Sequence, residues 1–265
     1  GDGVDIASPG APVRGAQVAA EEIGERIILT AGSTEVEIDR RTGHLLRLDR
    51  GGDGLPLAGG PLPTGRRADP HSVRLLSEED SRVVEVRDAG ELQVARWRLF
   101  PSGWLNLSYF YSPRGPADFF GVTFDLASES VESLRWLGDG PWPRWKNRMR
   151  GGSFDLWQQT GEEFPGGFLS EVRWLRLAGS GGALTLVLED DDLFVGLFPP
   201  PFPADARNVV APLPSGDVSF LHAIPAIGTK FKRAEELGPS SQRTESRGLY
   251  SASIWLFAEG SPEVP

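Results

Sequence analysis

The chain has 265 residues, a formal net charge of -10 and a sequence pI near 4.9, a field that repels phosphate backbones and speaks against a nucleic-acid partner. It contains no cysteine, which removes disulfide frameworks, thiol catalysis and cysteine-ligated zinc together. Hydrophobic residues make up 39%, no apolar run is long enough to span a membrane as a helix, and 33 Gly with 22 Pro punctuate the chain throughout, as expected for many short strands joined by tight turns.

Residues 1–25 are small, polar and rich in Pro and Gly and read as a linker or the tail of a preceding module; the ordered domain is expected over 26–260. From Arg26, "RIILTAGSTEVEIDRRTGHLLRLDRGG" gives an apolar run, a Gly turn, an alternating stretch through Val36 and Ile38, and a Thr42-Gly43 turn into Leu45, Leu46 and Leu48. This is a β-meander. Residues 51–70 are dominated by Gly and Pro and read as a long loop. Strands follow at 82–87, 91–100 and 104–112, with turns at Ala89-Gly90 and at 101–103. Trp97 and Leu99 fall on one face, and Leu105, Leu107 and Tyr109 continue an inward row. "FFGVTFDLA" and "VESLRWLG" add two strands, "VRWLRLAGSGGALTLVLEDDDLFVGLF" three more, and "VSFLHAI" and "GLYSASIWLF" close the series. The count is about twelve strands, with a short helix-like patch only at 228–238. The prediction is an all-β fold, one large antiparallel two-sheet sandwich.

The segment "LGDGPWPRWKNRMRGGSFDLW", residues 137–157, sets tryptophan beside cations in a run of Gly and Pro. Gly138, Gly140 and Pro141 force a turn, and a central strand would bury the charges of "RWKNR". One reading is a saccharide-contacting surface: apolar sugar faces stack on Trp142 and Trp145, with Trp157 alongside, while Arg144, Lys146, Asn147 and Arg148 donate to hydroxyls or dock the domain to a partner. The other is that the tryptophans seal the sandwich edge and the cations are held internally, with Lys146 or Arg148 anchoring the loop.

The stretch "LRWLGDGPWPRWKNRMRGGSFDLW" resembles the signature of the small-chain, or fifth, domain of the large β-galactosidases of glycoside hydrolase family 2, in which a W-x-G-x-G-P strand end precedes a short aromatic and basic stretch. "VEIDRRTGHLLRL", "WRLFPSGWLNLSYFY", "DVSFLHAIPAIGTKF" and "GLYSASIWLF" are similar, in order, to the opening, central and closing strands of that domain, and the resemblance runs over residues 26–258. It implies a galactose-mutarotase-like supersandwich and a carbohydrate-binding or accessory role in polysaccharide degradation: the domain shapes a galactoside-type site while the catalytic Glu pair sits on a separate TIM barrel. By this reading the chain is not catalytic in isolation, and its partners are a saccharide and that barrel. The chain departs from the pattern at "RAEELGPSSQRTESRGL", where no aromatic active-site loop is found. Secretion or a periplasmic location fits polysaccharide degradation; the sequence itself assigns no location.

Two other classes stay open. A free-standing aldose-1-epimerase-like or lyase-like enzyme would use His71 or His222 with a carboxylate as its acid/base pair. A structural interface module would use the tryptophan loop to meet another domain. No cofactor is expected, although Asp190, Asp191 and Asp192 offer hard oxygens suited to calcium, set against their reading as a charged hairpin turn.

Overall fold

The computed structural model describes residues 17–64, 70–161, 166–200, 202 and 205–260, which form twenty strands. In chain order they are β1 (Ala19–Ile23), β2 (Arg26–Ala31), β3 (Thr34–Asp39), β4 (Leu45–Arg50), β5 (Ala58–Pro63), β6 (Pro70–Glu78), β7 (Ser81–Asp88), β8 (Leu92–Leu99), β9 (Leu105–Tyr111) and β10 (Pro116–Ala117). There follow β11 (Phe120–Asp125), β12 (Ser133–Gly140), β13 (Ser153–Thr160), β14 (Phe168–Leu169), β15 (Trp174–Gly179), β16 (Gly182–Leu188), β17 (Phe194–Leu197), β18 (Val218–Ala223), β19 (Thr244–Glu245) and β20 (Tyr250–Glu259). Three short 3-10 turns are the only helical elements among the described residues, and the helix-like patch at 228–238 reduces to one of them, Ala234–Leu237.

All strand pairings are antiparallel. The largest sheet has nine strands in the order β13-β12-β15-β16-β20-β9-β8-β7-β6. A five-stranded sheet (β14-β17-β18-β11-β5), the four-stranded β1–β4 meander and the small β10-β19 pair complete the set. One core joins the inner residues of the three larger sheets, among them Leu29, Ile38, Trp97, Leu107, Trp136, Leu186, Phe124 and Phe220. The inward row predicted through Trp97, Leu99, Leu105, Leu107 and Tyr109 is buried throughout. The layer opposite the nine strands is thus divided between two sheets.

The structure adds strands that the residue pattern did not announce. β1 begins at Ala19, ahead of the expected start at Arg26, and β5 forms within the expected 51–70 loop. β6 and β13 are likewise additions. These four lie at sheet edges, where one neighbour is missing and inward and outward faces are less sharply distinguished, so the alternation that marks a central strand fades. Pro61 and Pro63 in β5 are tolerated for the same reason, since an edge strand leaves N–H positions outside the ladder. Residues 1–16 of the expected linker and 65–69 of the expected loop lie outside the described residues.

The five-stranded sheet buries both faces. Val122, Phe124, Val195 and Phe220 face the main core, whereas Phe168, Leu221 and Ile224 enter a second cluster on the outer side with Trp145. That second cluster is closed by irregular chain, and the tryptophan-rich segment is part of the closure.

Candidate functional site

The segment after β12 leaves regular structure at Gly140, whose peptide bond to Pro141 is cis. Its backbone must find partners outside a ladder, and its polar side chains have the same task. Arg144 is 2% exposed; its Nε and Nη2 both reach Asp139 Oδ2, at 3.0 and 2.6 Å, and Ser170 Oγ adds a donor to the same oxygen at 3.3 Å. Two glycines make room for this packing. A Cβ on Gly152 would lie 1.7 Å from Arg144 Nη2, and one on Gly140 would lie 2.6 Å from the Trp157 indole nitrogen. The Gly content of the stretch therefore follows from large side chains lying flat on its backbone.

The next residues fasten two other irregular stretches. Asn147 Nδ2 donates to Ile227 O at 2.9 Å and to Ser241 Oγ at 3.1 Å, while its Oδ1 accepts from Ile227 N at 3.1 Å. Arg148 Nη2 donates to Gly228 O at 2.9 Å, and Lys146 Nζ donates to Gln242 O and, at 2.8 Å, to Thr244 Oγ1. Trp145 is 5% exposed and meets Phe168 edge-to-face at 5.5 Å. Trp157 stacks on Trp136 at 6.4 Å and donates to Gly138 O. Of the residues predicted to meet saccharide, the structure brings Arg144 through Arg148 together, as a clasp that hydrogen-bonds the chain itself. Burial denies Trp145 a stacking role. Trp142, 67% exposed, is the one tryptophan of the set turned fully outward, and Arg148 is exposed as well.

The two histidines singled out as acid/base candidates are not brought together. His71 is exposed on the edge strand β6, whereas His222 on β18 has a side chain 4% exposed. His222 Nε2 lies 3.2 Å from the Ser251 carbonyl, which can only accept, so Nε2 carries the proton and Nδ1 accepts from the Tyr111 hydroxyl at 2.7 Å. Burial lowers the His222 pKa, against the raising effects of Asp192, the Ser251 carbonyl and Asp190. With both nitrogens engaged, His222 ties the five-stranded sheet to β9 and β20 of the nine-stranded one.

The acidic run also disperses. Glu189 accepts from Trp255 Nε1 at 2.6 Å, Asp190 from Ser253 N at 2.8 Å, Asp191 pairs with Arg173 at 3.3 Å, and Asp192 lies 3.9 Å from His222 Nε2. Among the described residues no three His, Asp or Glu side chains converge as a metal site. A cleft of about 330 Å³ opens elsewhere, lined by Thr64, Glu91, Arg114, Asp118, Phe119 and Arg243, with Arg243 and Asp118 paired across it at 3.2 Å. None of the predicted site residues lines it.

A different aromatic surface emerges from strand register. On the face of the nine-stranded sheet away from the core, Leu156 of β13 stands opposite Leu137 of β12, Leu137 opposite Trp174 of β15, Trp174 opposite Val187 of β16, Val187 opposite Trp255 of β20, and Trp255 opposite Asn106 of β9. Trp174 and Trp255 are half-buried and separated by one strand, which places them ~9.6 Å apart at ordinary interstrand spacing. Trp255 is held by its bond to Glu189 and by Phe100, whose ring centre is 5.1 Å away. The adjoining row is polar: Gln158, Arg135, Arg176 and Thr185 stand in register, and Arg176 pairs with Glu259 through both Nε and Nη2. Hydrogen bonds from Arg176 and Thr185 outweigh desolvation and hold the Glu259 carboxyl below its usual range.

Sequence reasoning found these strands and passed over their outward tryptophans. The signal was present, because Trp174 falls out of phase with buried Leu175 and Leu177, and Trp255 with buried Ile254 and Leu256. No family model matches the chain, and no curated protein sequence matches it. Among solved structures it is similar to the crystal structure of HI1317, at 9% identity and a TM-score of 0.42 over 92% of this chain and 99% of that one. It is also similar to a galactose mutarotase-like protein from Lactobacillus casei ATCC 334, at 13% identity and a TM-score of 0.39 over 91% of this chain and 99% of that one. No residue role is carried over from either.

Proposed function

We propose that the chain is a carbohydrate-binding domain, accessory to a glycoside hydrolase of the β-galactosidase type, that holds saccharide on the outer face of its nine-stranded sheet. The observation carrying this reading is the row Leu137-Trp174-Val187-Trp255-Asn106, continuous across five strands. An indole presents a broad apolar surface to the C–H face of a pyranose, and two indoles on one rigid sheet form a platform whose spacing does not depend on a loop. Polar groups beside the platform supply the directional contacts that distinguish a saccharide from a plain hydrophobe. The fold resemblance read from the sequence supports the same class of ligand, and Trp142 offers a further stacking surface at the sheet end.

The test is isothermal calorimetry with galactose, lactose and a panel of plant oligosaccharides, a readout that survives removal of a tryptophan. Saturable binding lost in Trp174→Ala and Trp255→Ala but kept in Trp142→Ala is the expected result. Loss confined to Trp142→Ala would move the site to the loop, and no heat with any saccharide would remove the reading.

A second reading, an interface to another module, is favoured by one observation. β13 is an open sheet edge on which Phe154 and Leu156 are each 49% exposed, with Trp142 and Met149 also exposed nearby in sequence. Such an edge invites covering. Co-purification with a catalytic barrel domain that fails when Phe154 and Leu156 are both changed to Ser would support this role.

A further inference from the structure

We infer that the saccharide held on the nine-stranded sheet carries a carboxylate, and that the Arg135 guanidinium receives it. The inference rests on the carbohydrate-binding reading and names the chemical class of the ligand. Arg135 lies on β12 two residues from Leu137, about 7 Å along the strand, on the same outer face and diagonal to Trp174. It is exposed, and its cross-strand partners are Arg176 on one side and Gln158 on the other. Like charges directly opposite one another in an antiparallel pair are unfavourable. Among the described residues only one of the two is relieved: Glu259 takes Arg176 at 2.9 Å and also accepts from Thr185 at 2.7 Å. Among the described residues Arg135 has no ion-pair partner and no hydrogen-bond acceptor.

Other exposed arginines, such as Arg74 and Arg207, also have no ion pair among the described residues; what sets Arg135 apart is its place opposite Arg176 and diagonal to Trp174. A solvated surface position would be served as well by Gln or Thr, either of which would remove the repulsion with Arg176. Packing does not explain the arginine, since its side chain is exposed, while the aromatic row beside it supplies a reason for a ligand to be there. A uronate ring stacked over Trp174 would bring its carboxylate toward Arg135, whose planar fork donates to two oxygens at once. The neighbouring Gln158 amide can donate to hydroxyls on the same ring. Charge complementarity therefore selects an acidic saccharide over its neutral counterpart, locally and against the overall negative field of the chain.

The experiment compares tetragalacturonate with a neutral galacto-oligosaccharide of the same length by calorimetry, at low and at high salt, on the wild type, Arg135→Gln, Arg135→Lys and Trp174→Ala. The expected result is roughly fivefold tighter binding of the uronate at low ionic strength, weakening as salt is added. Arg135→Gln should bring uronate affinity down to that of the neutral probe, Arg135→Lys should restore part of the preference, and Trp174→Ala should abolish binding of both probes. Equal affinity for the two saccharides, or a preference that survives Arg135→Gln, would overturn the inference while Trp174-dependent binding kept the carbohydrate reading. Absence of binding to either probe would overturn both.

Discussion

Two regions of this molecule share a composition and use it in opposite ways. The 140–152 segment and the outer face of the nine-stranded sheet both combine tryptophan with arginine, yet the first buries Arg144 and Trp145 and leaves Trp142 exposed, whereas the second leaves Trp174, Trp255 and Arg135 facing out. The difference lies in the backbone beneath them. Outside a ladder, amides and carbonyls need partners, and Asn147, Lys146 and Arg148 supply them to 227–228 and 241–244. Within the sheet the ladder already satisfies the backbone, so Trp174, Trp255 and Arg135 are released for other work. A regular strand frees its outward side chains, and an irregular segment recruits them.

The largest expected effect tests the inward half of this contrast. Replacing Arg144 with Met removes a buried cation and leaves Asp139 with Ser170 as its remaining side-chain donor. Breaking one partner of a buried pair costs about 3 to 5 kcal/mol, so urea denaturation should show a loss near the lower end, because the Asp139 side chain retains some solvent access. Pairing the change with Asp139→Asn should recover part of the loss, since the stranded charge goes with it. Saccharide binding by the folded variant should match the wild type. A variant as stable as the wild type would mean that the clasp contributes nothing to the fold.

Asn147→Ala comes next. It leaves Ile227 N and O and Ser241 Oγ without their shared partner, and unmet groups of this kind cost about 1 to 3 kcal/mol. The release should be local, so faster amide exchange is expected at 225–228 and 241–244 before the sheets open. Exchange unchanged in those stretches would separate the clasp from the loops it touches.

How much of this was legible follows from the same physics. Central strands announce themselves because burial of one or both faces imposes a pattern; Trp97, Leu99 and Leu107 were readable as core for that reason. The edge strands β1, β5, β6 and β13 were not, because a missing neighbour relaxes the pattern. The cations of "RWKNR" were readable as either donors to sugar or internal anchors. The decision belongs to residues some 80 to 98 positions away, such as Ile227, Gly228 and Thr244, and no local period encodes it. The outward phase of Trp174 and Trp255 was legible, whereas their alignment in one row needed the order β15-β16-β20, which joins segments far apart in sequence.

The smallest effect concerns His222, an inward-turned polar group like those of the clasp but set between two sheets. Burial lowers its pKa from 6.5, outweighing Asp192, the Ser251 carbonyl and Asp190. The unfolded chain therefore takes up a proton near pH 6.5 more readily than the folded one. The sign follows directly: the stability contributed by neutral His222 is fully present above pH 6.5 and is lost as pH falls from there through the lower folded value. Protonation would also place a hydrogen on Nδ1, so the Tyr111 hydroxyl would have to stop donating there and turn toward Phe120 O, 3.4 Å away. His222→Gln should flatten the decline in stability between pH 6.5 and 5, measured by urea denaturation. It should not abolish it, since burial lowers the His44 pKa as well, and only His44→Gln added to His222→Gln should remove the histidine component. Asp39 and Glu259, both held below their usual values, would then govern the steeper loss at lower pH. A decline unchanged in His222→Gln would show that the tie between the sheets tolerates charge, and that inward-facing polar groups outside the clasp are held less tightly than those within it.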